Sequence, residues 1–361
     1  MTRHKTLSLT LLLAIAPMGL ASAQDPPPPI DAAQRSTVIA TLAEQLHANY
    51  VFPDVAERVA AGLKAKDARG EYAADTDVQA FSDALSKDLA ALGDDGHFRV
   101  VHAPGAQLRP QTLGYVPSQA ELDAMRDEIT FMGFGVQRVE RLEGNVGYIE
   151  LRGFGPTSMV APALSSAMTL VSGTDALILD LRRNGGGEPS TVAHLMSHFF
   201  PEGDMRHLND IYTRPTDTTQ QFWTSPSVEV RYDKPVYVLT SKDTFSAGED
   251  CAYGFQTQER GTIVGETTGG GANPGDDFPI GHDFVAFIPT GRSVNPVTLG
   301  NWEHVGVQPD IATPAADAQR TAHLAILSSL LEGAAQPRYR AYLQDALQQV
   351  QAASSAQPPS G

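Results

Sequence analysis

The sequence has one cysteine, few basic residues and few long apolar runs. Because Cys251 stands alone, an intramolecular disulfide is impossible, and a small buried core residue is a better expectation than a catalytic thiol. The 26 lysines and arginines are outnumbered by 42 aspartates and glutamates, giving a formal net charge of −16. This balance argues against nucleic acid or an anionic membrane as partner. Beyond the N-terminus, no run approaches the ~20 apolar residues of a membrane span.

The N-terminus has the pattern of a secretory signal peptide. Arg3 and Lys5 precede an apolar stretch over residues 7–20, and Ala21-Ser22-Ala23 is a small-residue cleavage site. We therefore expect cleavage after Ala23 and export of the protein, to a periplasm or out of the cell.

The rest of the chain divides by composition into four segments. A proline-rich linker over residues 24–30 precedes a helical N-terminal domain over 31–93. A larger core domain is expected over 94–335, and a C-terminal helix and disordered tail over 336–361. In the helical domain the apolar spacing predicts helices over 31–49 and 54–66, and a third from a capping box at Thr76 to Gly93.

The core alternates between strand and helix patterns, which is typical of a mostly parallel sheet covered by helices. The predicted strands are 146–151, 176–181, 235–240 and 262–265, and the predicted helices are 160–170, 188–200, 246–258 and 317–349. The expected fold class is therefore α/β.

Three turn-forming stretches follow the carboxyl ends of these strands, where ligands and catalytic groups gather in open α/β sheets. They are residues 184–187, the turn at Ser246 and the glycine-rich loop 265–271. Ser246 lies between a buried strand and a helix, so it is either a helix cap or an exposed nucleophile beside free backbone N–H groups. None of the stretches fits a P-loop, a dinucleotide-binding loop or the G-x-S-x-G elbow.

A serine nucleophile needs a base, and spacing alone does not choose among the histidines. His97 is attractive because it follows a turn, Asp94-Asp95-Gly96, although it could be an ordinary turn residue. Glu303 could orient or stabilise a histidine, or be a plain loop carboxylate. A cation site at Asp276, Asp277 and His282 is less plausible than a solvated loop, so we expect no metal and no cofactor.

Taken together, several stretches resemble the family of C-terminal processing (tail-specific) serine proteases. The similarity is to the branch that includes the interphotoreceptor retinoid-binding protein modules and tricorn-like enzymes. The matching stretches are GDDGHFRV, GFGVQRVERLEGNVGYIELRGF, LILDLRRNGGG, TFSAGEDCAYGFQ, TIVGETTGGGANPG and NWEHVGVQPDI. The resemblance implies a crotonase/ClpP-like core of ββα units behind a small helical domain.

The resemblance also implies roles for individual residues. Ser246 falls at the family's nucleophile, and His97 and Glu303 fall where the tricorn-like branch has its histidine and glutamate. The oxyanion hole is implied at Ala247 with Gly185 or Gly186.

Two departures from the family pattern matter. The lysine used as base by the best-known branch is replaced by Gly271, and residues 104–130 are too few for the branch's peptide-binding PDZ module. The expected function is an exported serine endopeptidase acting on peptides or unfolded proteins. The alternative is a non-catalytic module that binds an apolar ligand on the same scaffold.

Overall fold

The computed structural model describes residues 26–106 and 117–353, so the predicted signal peptide and the last eight residues lie outside the described residues. The helices in this part of the chain are α1 (Ala32–Asn49), α2 (Pro53–Ala68), α3 (Val78–Gly93), α4 (Gln119–Phe131), α5 (Thr157–Val171), α6 (Pro189–Ser197), α7 (Ala247–Thr257), α8 (Ala315–Gly333) and α9 (Pro337–Ala353). The strands are β1 (Arg99–His102), β2 (Val136–Leu142), β3 (Val146–Leu151), β4 (Ala176–Asp180), β5 (His207–Thr213), β6 (Thr218–Trp223), β7 (Val236–Thr240), β8 (Thr262–Gly265), β9 (Gly275–Gly281), β10 (Phe284–Pro289), β11 (Gly291–Val294) and β12 (Ile311–Ala312). The predicted α/β class with a helical N-terminal region is confirmed.

The central sheet has six strands in the order β12-β8-β7-β4-β3-β2. All neighbours in it are parallel except β2, which runs antiparallel to β3. Strands β3 and β4 are buried at every residue because helices cover both faces. Leu177 and Leu179 pack with α5, α6 and α7, whereas Ala176 and Ile178 pack with α8 and α9.

The N-terminal helices share their core with a smaller sheet, in the order β1-β10-β9. Leu42 and Phe81 from the helices lie in one buried cluster with Ile280 and Phe284 from the hairpin of β9 and β10. The helical region therefore packs on strands that arrive about 200 residues later in the chain. As a result His97, just before β1, packs against Phe245, which follows the carboxyl end of the central strand β7.

Two local predictions were wrong. Asp77, not Thr76, caps α3, because its carboxylate accepts hydrogen bonds from the backbone N–H groups of Gln79 (3.0 Å) and Ala80 (2.9 Å). The single helix predicted over 317–349 is two helices, with α8 ending at Gly333 and α9 beginning at Pro337. Proline cannot continue a helix but is well suited to its first turn.

The segment between the helical region and β2 contains α4, while residues 107–116 lie outside the described residues. None of the helices in the described ranges is both long and apolar enough to cross a membrane.

Candidate active site

Ser246 occupies a sharp turn between β7 and α7. Its backbone angles are φ 53° and ψ −121°, a conformation that costs energy for any residue with a side chain. The turn is fixed from both sides, since Phe245 N–H donates to Asn184 O (3.0 Å) and Thr244 Oγ1 donates to Leu181 O (2.8 Å). The side chain is consequently presented at the partly exposed N-terminus of α7.

The Glu249 carboxylate, which is 0% exposed, ties this turn to the glycine-rich loop. One oxygen accepts from Ser246 N–H (2.9 Å) and Gly271 N–H (2.8 Å), and the other from Thr268 Oγ1 (2.5 Å) and Gly270 N–H (2.7 Å). Burial raises the pKa of Glu249 above its usual range, against the lowering effect of these four donors. Both oxygens therefore serve as acceptors that join two loops.

The loop after β4 lies directly against the serine. A Cβ placed on Gly186, whose φ is +109°, would lie 2.8 Å from Ser246 Cβ, so only glycine allows this approach. Two of the predicted oxyanion donors are already engaged, because Gly185 N–H donates to Arg152 O (3.3 Å) and Gly186 N–H to Asn184 Oδ1 (3.0 Å).

Two other backbone N–H groups on this wall remain available. Within the described residues, the N–H groups of Gly187 and Ala247 have no intramolecular acceptor, and both residues line a pocket beside Ser246. Both groups are therefore free to donate to a ligand, and Gly187 is a residue that the sequence analysis did not single out.

His97 is held by Asp95, a residue that the sequence analysis did not single out. One Asp95 oxygen accepts from His97 N–H (3.0 Å) and lies 3.2 Å from His97 Nδ1. The other accepts from Asn273 Nδ2 (3.0 Å) and Tyr50 Oη (3.4 Å). Burial raises the pKa of Asp95, but the hydrogen bonds and charge of His97 outweigh it and keep that pKa below its usual range. Asp95 therefore fixes the ring through Nδ1.

The opposite ring nitrogen, His97 Nε2, is buried and has no hydrogen-bond partner in the described part of the chain. The ring packs against Phe245, with centroids 4.6 Å apart, immediately before Ser246. The orphan nitrogen is the kind of group that a base offers to a nucleophile, and such contacts often close only when substrate binds.

Gly271 leaves room for the His97 ring. A Cβ on Gly271 would lie 2.6 Å from His97 Cε1 and 2.5 Å from Phe245 Cε2. The His97 ring thus occupies the space into which a side chain at position 271 would project.

Glu303 binds the backbone of the residue that follows Gly271, and Gly271 lies beside His97. Its Oε2 accepts from Ala272 N–H (2.5 Å), next to Gly271, and its Oε1 is buried without a hydrogen-bond partner among the described residues. Burial, and then the nearby charge of Asp95, raise the pKa of Glu303 to about 8. His304, half exposed, lies 3.8 Å from Glu303 and 3.7 Å from Asp94, on the far side of the carboxyl group.

Cys251 is buried, and burial followed by the charge of Asp250 raises its thiol pKa well above the usual range. No cluster of three or more potential metal ligands occurs in residues 26–106 and 117–353. Ser246 is therefore the nucleophile candidate of this site.

Comparison with known proteins gives matches along most of the chain. A family model described as "Peptidase family S41" matches residues 145–313, and one described as "N-terminal domain of Peptidase_S41 in eukaryotic IRBP" matches residues 32–137. The chain is 33% identical over 126 residues to a carboxyl-terminal-processing protease of Synechocystis sp.. That alignment covers 35% of this chain and 28% of the relative, so the chain spans little more than a quarter of the relative's length.

Two solved structures share the fold. The structure of mature CPAF complexed with lactacystin superposes with a TM-score of 0.55 at 12% identity, covering 90% of this chain and 98% of that chain. The tricorn protease superposes with a TM-score of 0.50 at 13% identity, covering 89% of this chain and 37% of that chain. At such identities the likeness concerns the fold alone.

Replacing the Glu249 carboxylate tests how much it contributes to the stability of the fold. In Glu249→Gln, one oxygen becomes an amide NH₂, which leaves two of the four donors without an acceptor. We expect urea unfolding to show a loss of about 2–5 kcal/mol in the free energy of unfolding. The matched control is Glu259→Gln, an exposed residue just after the same helix, which should change it by less than about 0.5 kcal/mol. If both variants lose the same free energy of unfolding, the Glu249 carboxylate does not hold the two loops together.

The raised pKa of Glu303 predicts a pH dependence of stability. The unfolded carboxyl ionises near its ordinary pKa of 4.5, whereas the folded one stays protonated to about 8. Stability is therefore lost as pH rises from 4.5 to 8. Glu303→Gln mimics the protonated form, so its melting temperature should fall less over this range than that of wild type or of the exposed-site control Glu202→Gln. Parallel curves for all three proteins would rule out this contribution.

Proposed function

Because the chain belongs to peptidase family S41, we propose that it is a serine-type endopeptidase in which Ser246 is the nucleophile and His97 the base. One observation carries the proposal. The strained Ser246 turn lines a pocket together with Ala247, whose N–H is free, and the preceding Phe245 packs against His97. The Nδ1 of this buried histidine is fixed by Asp95, and its Nε2 is unpartnered.

Acylation follows from this arrangement. Ser246 Oγ attacks the peptide carbonyl carbon, and its proton passes to His97 Nε2. Asp95 keeps the remaining ring proton on Nδ1 and stabilises the imidazolium that forms. When the tetrahedral intermediate collapses, the C–N bond breaks and Nε2 returns the proton to the leaving amine.

Deacylation repeats these steps with water. His97 takes a proton from the water molecule as its oxygen attacks the Ser246 ester, and the proton returns to Oγ when the acid product leaves. Each cycle therefore consumes one water and leaves the enzyme unchanged.

The negative oxygen of both intermediates would be held by backbone donors. We propose Ala247 N–H and Gly187 N–H for this role, since Gly185 and Gly186 already donate elsewhere. Losing one such donor costs about 3–4 kcal/mol of transition-state stabilisation in serine hydrolases.

Glu303 acts at one remove in this proposal. Through Ala272 N–H it anchors the backbone beside Gly271, against which the His97 ring rests. It is a positioning residue, with His304 and Asp94 at its outer side.

The alternative is a binding module for an apolar ligand, and apolar residues such as Trp302 and Ile211 do line the pocket. That role would leave the strained Ser246 turn and the unpartnered His97 Nε2 without a use, so the peptidase is the better-supported proposal. We also propose export with cleavage after Ala23, which rests on the N-terminal sequence pattern.

Cleavage of casein by the protein starting at Gln24 tests the chemistry. We expect Ser246→Ala and His97→Ala to lose activity, and Asp95→Asn to lose about 10²–10⁴ in rate because the tautomer and orientation of His97 are no longer set. Asp94→Asn is a matched control at the adjacent, exposed position and should retain most activity.

Three results would count against parts of the proposal. If His97→Ala keeps its activity, the base is another residue and His304→Ala is the next variant. If Asp95→Asn and Asp94→Asn behave alike, Asp95 does not position His97. If the wild type cleaves neither casein nor other unfolded proteins, the peptidase proposal fails.

A further inference from the structure

The pocket beside Ser246 contains an acidic residue that the proposed chemistry does not use. Asp250 is one helical turn after Ser246 on α7, and it lines the same cavity as Ser246. Asp250 is only 7% exposed, so it is a buried residue of the cavity wall. It is therefore placed to contact whatever group of a substrate enters beside the nucleophile.

No basic side chain neutralises this carboxyl group. Among the described residues, no Lys, Arg or His forms a salt bridge with Asp250, and the hydrogen-bonding partner that lowers its pKa is the Asn209 amide. Burial outweighs that hydrogen bond and raises the pKa of Asp250 to about 7. A cation placed next to such a buried carboxyl group stabilises its ionised form.

The pocket also contains a neutral acceptor that lacks a donor. Asn209, 1% exposed on β5, donates through Nδ2 to Ser293 Oγ (3.3 Å), while its Oδ1 has no partner among the residues described. Strand β11 pairs with β5 so that Ser293 lies opposite Ile211, and all three residues line the pocket. A buried acceptor without a donor is unfavourable, and a ligand N–H would remove that cost on binding.

We propose that Asp250 and Asn209 select a basic substrate side chain, with lysine as the simplest case, for the residue whose carbonyl Ser246 attacks. The cleavage step in this inference rests on the proposed function, whereas the pocket's preference for a cation is independent of it. The ammonium group would pair with the Asp250 carboxylate and donate to Asn209 Oδ1. Its apolar stem would pass apolar residues of the wall such as Trp302 and Ile211.

Alternatives of other charge fit the pocket less well. An acidic side chain would meet Asp250 without a counter-charge, and an apolar side chain would leave Asn209 Oδ1 without a donor and Asp250 without a cation. Sites built to hydrogen-bond a substrate group discriminate strongly against analogues that lack it. The predicted order is thus lysine or arginine first, with norleucine and glutamate disfavoured.

A binding measurement tests the pocket without requiring turnover. The protein is Ser246→Ala, and the probes are two peptides that differ only in lysine or norleucine at the residue before the scissile bond. Norleucine keeps the stem and lacks the ammonium group. We expect calorimetry to show about 10- to 100-fold tighter binding of the lysine peptide, the range of a charge-assisted hydrogen bond.

The same measurement is repeated with Asp250→Asn and with Asp283→Asn, each in the Ser246→Ala background. Asp283 is an exposed aspartate in the turn between β9 and β10, so it controls for loss of one negative charge. The preference for lysine should disappear in Asp250→Asn and persist in Asp283→Asn. Equal binding of the two peptides by Ser246→Ala alone, which does not depend on how Asp250→Asn folds, would overturn the proposal.

Cleavage of the same peptide pair by the protein with Ser246 intact separates the two proposals. Preferred cleavage after lysine supports both. Tighter binding of lysine without cleavage of either peptide retains the pocket and removes the peptidase. Efficient cleavage after norleucine with no preference for lysine retains the peptidase and rejects the basic pocket.

Discussion

The buried carboxylate of Glu249 is the interaction on which the site depends. It sits inside the first turn of α7 and accepts hydrogen bonds from Ser246, Thr268, Gly270 and Gly271. These donors belong to two loops that follow neighbouring parallel strands, so one side chain sets the distance between them. The strain at Ser246 persists because this joint and the contacts of Phe245 and Thr244 fix the turn.

His97 comes from a distant part of the sequence and lies beside the two loops that Glu249 connects. His97 precedes β1, whose sheet shares a core with the N-terminal helices, and its ring rests against Phe245 beside Gly271. Asp95 fixes the ring in turn through Nδ1. The packing of the helical region thus places the His97 ring beside the glycine-rich loop, where the proposed function makes it the base.

The sequence allowed the fold class, the family and the candidate serine to be predicted, because buried strands and glycine loops leave strong local patterns. Asp95 could have been found from its spacing of two residues before His97, which suits a hydrogen bond to Nδ1. The roles of Gly187 and Asp250 could not be predicted, because they depend on which N–H groups are already engaged and on which side of α7 faces the pocket. Glu303 was expected to orient or stabilise His97 at one remove, but chain order does not reveal that Ala272 N–H is the group its carboxylate binds.

The central claim is that Ser246 is a nucleophile activated by His97, and covalent labelling tests it without a choice of substrate. The protein is treated with a fluorophosphonate, and the modified residue is located by mass spectrometry of the digest. The account predicts a single adduct on Ser246 that forms about 10²–10⁴ times more slowly in His97→Ala. An adduct on another residue, or equal labelling rates in the two proteins, would contradict it.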